Sequence, residues 1–310
     1  MAANSTMQAL LNEILDEVRP LIGQGKVADY IPALSAVDPM AFGISVVTRE
    51  GACFSAGQAD VPFSIQSISK VFTLTLALEL EGETLWQRVG REPSGTAFNS
   101  IVQLERENGI PRNPFINAGA IVVTDAITTN CGNETAGMRI LSMVRDLSQS
   151  SRVRIDDDVA RSEALWGNRN RSLAYFMKSF NVLQNNPEDV LQAYFCQCAL
   201  EMTCCELARA GLYLTGDGMD PVTGEQITTH EHVNRINALM MTCGHYDMSG
   251  EFAFHVGLPG KSGVGGGILA VVPNICAAAV WSPALNKAGN SHAGTLALEM
   301  FSERTNMNLF

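Results

Sequence analysis

Strand-like segments occur near both ends of the 310-residue chain, and the long stretch between them has mostly helical patterns. Residues 43–48 are rich in β-branched side chains, and residues 52–55 continue in the same manner after a turn. Residues 268–272 and 275–281 have the length and apolar composition of buried strands. Helical patterns cover residues 9–22, 71–80, 118–129, 135–147, 190–215 and 296–304. This order predicts one sheet built from both termini, with a large helical insertion.

Nothing in the chain has the composition of a linker, and no segment repeats. We therefore expect a single domain, residues 1–310, with two lobes. The sheet lobe is predicted from about residues 25–66 and 247–310, and a mainly helical lobe is inserted between them at about residues 67–246.

The composition excludes several classes of protein. With 46 % apolar and 17 % charged residues, the chain is too hydrophobic to be disordered. Its formal net charge of −11 argues against a nucleic-acid partner and against an anionic membrane surface, since both favour a basic face. No apolar run approaches the roughly 18–20 residues that span a bilayer.

The N-terminal segment lacks the basic start and unbroken apolar run of a secretory signal, which predicts a cytoplasmic location. The eight cysteines lie in apolar surroundings, so we expect them to be buried and reduced. Neither cysteines nor histidines have the spacing of a zinc site, and we predict no metal and no cofactor.

The first element that indicates chemistry is the SxxK sequence from Ser67 to Lys70, which opens an apolar helix. Residues i and i+3 share a helix face, so the Lys70 amine can approach the Ser67 hydroxyl. A serine needs such a base to become a nucleophile, and a lysine shielded from water can lose its proton near neutral pH. Alone, the pattern also fits a helix-capping serine and a solvated lysine.

A second element, Lys261-Ser262-Gly263, precedes the strand at residues 268–272. SxxK followed by a distant K-[ST]-G is the layout of penicillin-recognising serine enzymes. The glycines at residues 263–267 would let backbone N–H groups approach a substrate and form an oxyanion hole with the Ser67 N–H. The segment also approaches a phosphate-binding loop, but His255 stands where that motif needs glycine.

Together with further motifs, these elements make the chain resemble the serine-dependent glutaminases of the bacterial type, over roughly residues 18–282. The shared motifs are KVADYIP (26–32), FSIQSISK (63–70), PSG (93–95), FNS (98–100), NPFINAGA (113–120), SE (162–163), RN (169–170), YF (194–195) and GLPGKSGVGGG (257–267). The resemblance implies an α/β (α+β) fold of the β-lactamase and penicillin-binding-protein type, with an antiparallel sheet flanked by helices.

The resemblance also implies an activity, hydrolysis of L-glutamine to L-glutamate and ammonia through an acyl-enzyme. Ser67 would be the nucleophile, Lys70 its activating partner, and the Ser67 and Val264 N–H groups the oxyanion hole. Tyr194 and Tyr246 could also move protons, and the sequence does not rank them against Lys70. The implied substrate contacts are Tyr30, Gln66, Ser67, Asn117, Glu163, Asn170, Tyr194, Tyr246 and Val264.

The residue types suit free glutamine independently of the family. A buried ammonium needs a carboxylate such as Glu163, whereas Asn117, Asn170 and a tyrosine hydroxyl can donate to the α-carboxylate. Members of the family commonly form homodimers or homotetramers, which we expect here. Two other functions stay open: a penicillin-recognising hydrolase, and a non-catalytic sensor that binds glutamine in the same pocket.

Overall fold

The computed structural model describes residues 2–94, 101–132 and 134–310, and for residues 2–5 and 101 it describes the backbone alone. The motif residues Gly95 and Phe98-Asn99-Ser100 lie outside the described residues. Within the described ranges, eight strands follow in chain order: β1 (Gly43–Thr48), β2 (Cys53–Gly57), β3 (Phe63–Ser64), β4 (Arg154–Ile155), β5 (Leu200–Met202), β6 (Gly260–Ser262), β7 (Gly267–Val272) and β8 (Cys276–Trp281).

The main sheet is antiparallel and has five strands in the order β2-β1-β8-β7-β6. Strands from the two ends of the chain meet at its centre, where Gly43 of β1 pairs with Trp281 of β8. The predicted fold class, an antiparallel sheet built from both termini and flanked by helices, is therefore confirmed. A second sheet of three short strands has the order β3-β5-β4.

The helices of the described residues match the predicted segments closely, with one exception. They are α1 (Ala2–Val18), α2 (Pro32–Ser35), α3 (Ser69–Glu81), α4 (Ile101–Arg106), α5 (Asn117–Thr129), α6 (Ala136–Ser148), α7 (Asp157–Trp166), α8 (Asn168–Ser179), α9 (Pro187–Cys198), α10 (Cys204–Ala210), α11 (His230–Cys243), α12 (Ser249–His255) and α13 (His292–Thr305). The continuous helix predicted for residues 190–215 is wrong. It is interrupted by β5, whose backbone pairs with β3 and β4.

Both faces of the main sheet are buried, which explains why β7 is apolar throughout instead of alternating. Ile268 and Ala270 face a core that includes residues of α1 and α13. Leu269 and Val271 face the opposite way, toward the larger core that the helices of the inserted segment share. Helix α1 therefore packs on the main sheet, although its residues lie before the range predicted for the sheet lobe. The division of the chain into two lobes stays a prediction.

Helix α10 has a capping box at its start. The Thr203 hydroxyl accepts from the Glu206 N–H at 3.2 Å, and the Glu206 carboxylate accepts from the Thr203 N–H at 2.9 Å. These reciprocal bonds satisfy N–H donors that a helix N-terminus leaves unpaired. They therefore stabilise the start of a new helix directly after β5.

We expect Thr203→Ala to lower the free energy of unfolding by about 1 kcal/mol, the usual contribution of such a cap. Urea unfolding of the whole protein measures it. Thr242→Ala is the control, because the exposed Thr242 hydroxyl donates to the Ala238 carbonyl and lies 3.4 Å from Cys243 Sγ, all within α11, and caps no helix. Equal stability losses in the two variants would contradict the importance of the cap.

The structure corrects the prediction for two of the cysteines. Cys53 on β2 is exposed rather than buried, and its sulfur is bonded to that of Cys205 on α10 in a disulfide. Both lie where strand β2 meets the helix that follows β5, so residues 152 positions apart in the chain become neighbours. Cys131 and Cys196 are partly buried, and Cys198, Cys204, Cys243 and Cys276 are buried free thiols as expected. Among the described residues, no helix is long and apolar enough to cross a membrane.

Candidate active site

A cavity of about 330 Å³ lies where the helices meet the turn between β6 and β7. Nine of the ten predicted site residues line it: Tyr30, Gln66, Ser67, Asn117, Glu163, Asn170, Tyr194, Tyr246 and Val264. The tenth, Lys70, is buried behind this lining and is 1 % exposed. Larger grooves occur elsewhere, but they are more open and lack this group of residues.

Ser67 lies in a 3-10 turn, Gln66–Ile68, that leads directly into α3. The nucleophile predicted from the sequence is thus at the N-terminal end of a helix, where free N–H groups and the helix dipole favour negative charge. Gln66 has a φ of +48°, the left-handed conformation that costs energy for a residue with a side chain. Its side-chain nitrogen donates to Ser64 Oγ at 3.1 Å, and Ser64 in turn donates to the Cys198 carbonyl at 2.9 Å.

The glycine-rich turn approaches the backbone that precedes Ser67. A side chain at Gly263 would collide with the Ile65 carbonyl, and one at Gly265 would collide with the Ser64 carbonyl. Glycine is therefore needed because two backbones meet here, and this contact brings Val264 to the cavity. Lys261 and Ser262 of the K-S-G element lie in strand β6, which pairs with β7, and Gly263 follows directly after it.

Lys70 donates to two oxygens of the next helix region. Its Nζ lies 3.1 Å from the Phe115 carbonyl and 2.8 Å from Asn117 Oδ1. Among the hydrogen bonds of the described residues, none joins Lys70 to Ser67, although both lie at the start of α3. Burial lowers the pKa of Lys70 to about 8, while nearby Cys198 and Glu163 act in the opposite direction. The amine is therefore neutral in a substantial fraction of molecules slightly above neutral pH.

Tyr246 is the residue that contacts the nucleophile. Burial raises the pKa of its phenol to about 12, and hydrogen bonds with the Ser67 side chain and the Val264 backbone partly offset this effect. Tyr246 begins a short 3-10 turn after α11 and has a left-handed φ of +53°. Its phenol is thus neutral at physiological pH and lies beside both the nucleophile and the predicted oxyanion hole.

Glu163 provides a carboxylate inside the cavity. It is 4 % exposed, and burial raises its pKa, whereas hydrogen bonds from Tyr30 and Gln66 and the charge of Lys70 lower it. The Tyr30 hydroxyl lies 2.7 Å from Glu163 Oε1 and 3.2 Å from Gln66 Oε1. Tyr30 itself is 50 % exposed, so its ring forms part of the cavity mouth while its hydroxyl points inward.

Two amides and a third tyrosine complete the predicted set. Asn117 Nδ2 donates to Asn170 Oδ1 at 3.1 Å, which joins the start of α5 to α8. Tyr194 on α9 is buried, and burial raises the pKa of its phenol far above the usual value. Its side chain hydrogen-bonds to Cys198, so this tyrosine is anchored from its own helix.

Four cavity residues were not predicted: Trp166, Gly167, Arg169 and Cys198. Cys198 follows Tyr194 by four positions on α9, so helical periodicity could have identified it. The other three lie between Glu163 and Asn170, at the junction of α7 and α8. Arg169 belongs to the shared RN motif, whereas only the position between two predicted contacts pointed to Trp166 and Gly167. Lys261 is near Tyr246 but does not line this cavity.

Comparison with known proteins agrees with this geometry. A family model described as glutaminase matches residues 25–310. The chain belongs to the glutaminase family. A glutaminase from Rhizobium rhizogenes is 58 % identical over 304 residues, which cover 98 % of each chain. A thermolabile glutaminase from Rhizobium etli is also 58 % identical, with the same coverage.

Solved structures of glutaminases have the same fold. A probable glutaminase, ybaS, is 36 % identical with a TM-score of 0.90, covering 97 % of this chain and 98 % of that one. A probable glutaminase from Bacillus subtilis is 35 % identical, also with a TM-score of 0.90, covering 98 % of both chains. The protein is therefore an amidohydrolase with the β-lactamase-like fold that its sequence predicted. Within the described ranges, no cluster of His, Cys, Asp and Glu could hold a metal ion.

Proposed function

We propose that this glutaminase hydrolyses L-glutamine to L-glutamate and ammonia through an acyl-enzyme on Ser67. One observation carries the proposal: Ser67 lies at the start of the helix region that leads into α3 and lines the cavity together with Tyr246, whose phenol interacts with it, and buried Lys70 follows three residues further on. This is the combination of nucleophile, proton carrier and helix N-terminus that acyl transfer needs.

The polar groups of the cavity suit a free amino acid. Glu163 offers its carboxylate to the α-ammonium, and its burial makes a charged partner necessary. Asn117, Asn170 and a tyrosine hydroxyl can donate to the α-carboxylate. D-Glutamine and L-asparagine would misplace either these groups or the amide, so we expect both to be poor substrates.

In the first half of the reaction, Ser67 Oγ bonds to the side-chain carbonyl carbon of glutamine, and the Ser67 proton passes to the neutral Lys70 amine. The N–H groups of Ser67 and Val264 hold the oxyanion. The carbon–nitrogen bond then breaks, and the departing nitrogen takes a proton through Tyr246, which is restored from Lys70. In the second half, water bonds to the acyl carbon and gives its proton through Tyr246 to Lys70. The bond from that carbon to Ser67 Oγ then breaks, Ser67 takes the proton back from Lys70, and glutamate leaves.

This scheme predicts a pH dependence. Because the pKa of Lys70 is lowered to about 8, its neutral form increases as pH rises toward that value. We therefore expect kcat/KM to rise about tenfold per pH unit between pH 6 and 7 and to level off above about 8. Steady-state ammonia release at constant ionic strength measures the profile. A flat profile from pH 6 to 9 would exclude Lys70 as the base.

The decisive assay compares ammonia release from L-glutamine, D-glutamine and L-asparagine, followed by trapping with a diazo-ketone analogue of glutamine. The proposal requires release from L-glutamine alone at a high rate and a label on the peptide that contains Ser67. Label on another residue, or turnover of nitrocefin without ammonia release, would reject it. The cytoplasmic location and the homodimer or homotetramer stay predictions, which fractionation and light scattering would test.

A further inference from the structure

Lys261 is a buried lysine to which the proposed reaction assigns no step. It is 0 % exposed and does not belong to the residues that line the described cavity. A substrate in that cavity therefore does not reach it. Burial lowers the pKa of Lys261 well below its usual value, and the charge of Lys70 acts in the same direction. Burying a lysine amine costs free energy, so its presence here needs a structural or functional explanation.

The amine of Lys261 connects strand β6 to the turn that carries Tyr246. Its Nζ donates to the Gly244 carbonyl at 3.0 Å and to the Ser262 carbonyl at 2.6 Å. The Gly244 carbonyl also accepts the Ser262 N–H at 3.1 Å. The same amine lies 4.9 Å from the centroid of the Tyr246 ring, so it fixes both the backbone two residues before the tyrosine and the ring itself.

Tyr246 needs this support because of its backbone conformation. Its φ of +53° is unfavourable for a residue with a large side chain and persists only where the surroundings impose it. Contacts on the other side of the turn are consistent with this requirement. Asn290 donates to the His245 carbonyl at 3.3 Å, and the His245 ring stacks on Phe252 with 3.5 Å between the centroids.

We propose that Lys261 is a positioning residue for Tyr246, which holds the phenol against Ser67 by anchoring Gly244 and supporting the ring. The inference rests on the proposed function, in which Tyr246 carries a proton. It gives the two buried lysines different roles. Lys70 lies behind Ser67 and Asn117 and takes the proton of Ser67, whereas Lys261 acts only through Tyr246. Lys261 is therefore expected to influence turnover and not substrate affinity.

A double-mutant cycle on the full chain tests the proposal with Lys261→Met, Tyr246→Phe and the double variant, each assayed for kcat and KM. Lys261→Met should lower kcat about 10- to 100-fold and change KM less than about threefold. The double variant should be no slower than Tyr246→Phe alone, because Lys261 acts through a phenol that is already absent. Lys261→Gln, which keeps an N–H donor, should recover part of the activity.

Lys178→Met is the matched control. Lys178 also donates to two backbone carbonyls, those of Gln184 at 2.8 Å and Asn185 at 3.0 Å, but at the end of α8 opposite Asn170. Its removal should leave kcat within about twofold. The inference would be overturned if the fold-losses in kcat of Lys261→Met and Tyr246→Phe multiplied fully in the double variant. It would also be overturned if Lys261→Met changed KM alone.

The cycle also distinguishes failure of the inference from failure of the proposed function. If Tyr246→Phe retains full activity, the role given to Tyr246 in the reaction is wrong. If Tyr246→Phe is impaired but the effects multiply, only the role of Lys261 is wrong. Should Lys261→Met not fold, Asn290→Ala removes the hydrogen bond to the His245 carbonyl on the opposite side of the same turn and leaves the buried amine in place. The inference then requires that the effects of Asn290→Ala and Tyr246→Phe on kcat do not multiply in the double variant.

Discussion

Ser67→Ala is expected to abolish ammonia release from L-glutamine, with kcat at least about 10⁴-fold below that of the unchanged protein. Loss of a nucleophile typically removes all catalysis except the part that binding and the oxyanion hole supply. The cavity keeps Glu163, Asn117 and Asn170, so the variant should still bind glutamine. Calorimetric titration of the variant with L-glutamine should therefore give a Kd within about tenfold of the KM of the unchanged enzyme.

Ser172→Ala provides the control for this experiment, since the exposed Ser172 hydroxyl only donates to the Asn168 carbonyl within α8. That variant should have normal kcat and KM. Full activity of Ser67→Ala would disprove the acyl-enzyme mechanism as a whole. A glutamine-binding variant without turnover, paired with an active parent, would also exclude the non-catalytic sensor, because a sensor has no turnover to lose.

Much of the fold could be predicted from the sequence because the patterns that indicate its strands and helices are local. The β-branched run at residues 43–48 and the apolar runs on either side of residues 273–274 became adjacent antiparallel strands, as their length and composition predict. The exception at residues 190–215 has a non-local cause. Leu200 and Met202 look helical in isolation, but their backbone pairs with strands that are distant in the sequence. Thr203 and Glu206 contained the capping signal for the break.

The candidate site was predictable as a set of residues but not as a set of contacts. The SxxK spacing correctly indicates that Ser67 and Lys70 share the start of one helix. It could not show that the Lys70 amine turns toward Phe115 and Asn117, because these belong to another part of the chain. The contact between Tyr246 and Ser67 depends similarly on how a turn after α11 packs against the glycine-rich segment. The exposed, disulfide-bonded Cys53 shows the same limit, since its partner Cys205 is 152 positions away in the sequence.

Glu163→Gln should raise KM for L-glutamine by about 30-fold to several thousand-fold, with a smaller effect on kcat. Removing one partner of a buried charge pair leaves the other unpaired, which costs roughly 2–5 kcal/mol. The amide keeps the size of the carboxylate and can still accept from Tyr30, so the change isolates the charge. Tyr30→Phe, which removes only the 2.7 Å hydrogen bond to Glu163, should raise KM by about tenfold or less.

A substrate analogue makes the test of Glu163 specific. The unchanged enzyme should prefer L-glutamine to 4-carbamoylbutanoate, which lacks the α-ammonium, by about the same factor that Glu163→Gln costs. The variant should lose this preference, because neither ligand then has a charge partner to gain. Glu188→Gln is the matched control: Glu188 also accepts from a tyrosine, Tyr175, at 3.2 Å, but does not line the cavity. A variant at position 163 that kept the preference for glutamine would place the ammonium elsewhere in the cavity, and the orientation proposed for the substrate would have to be reversed.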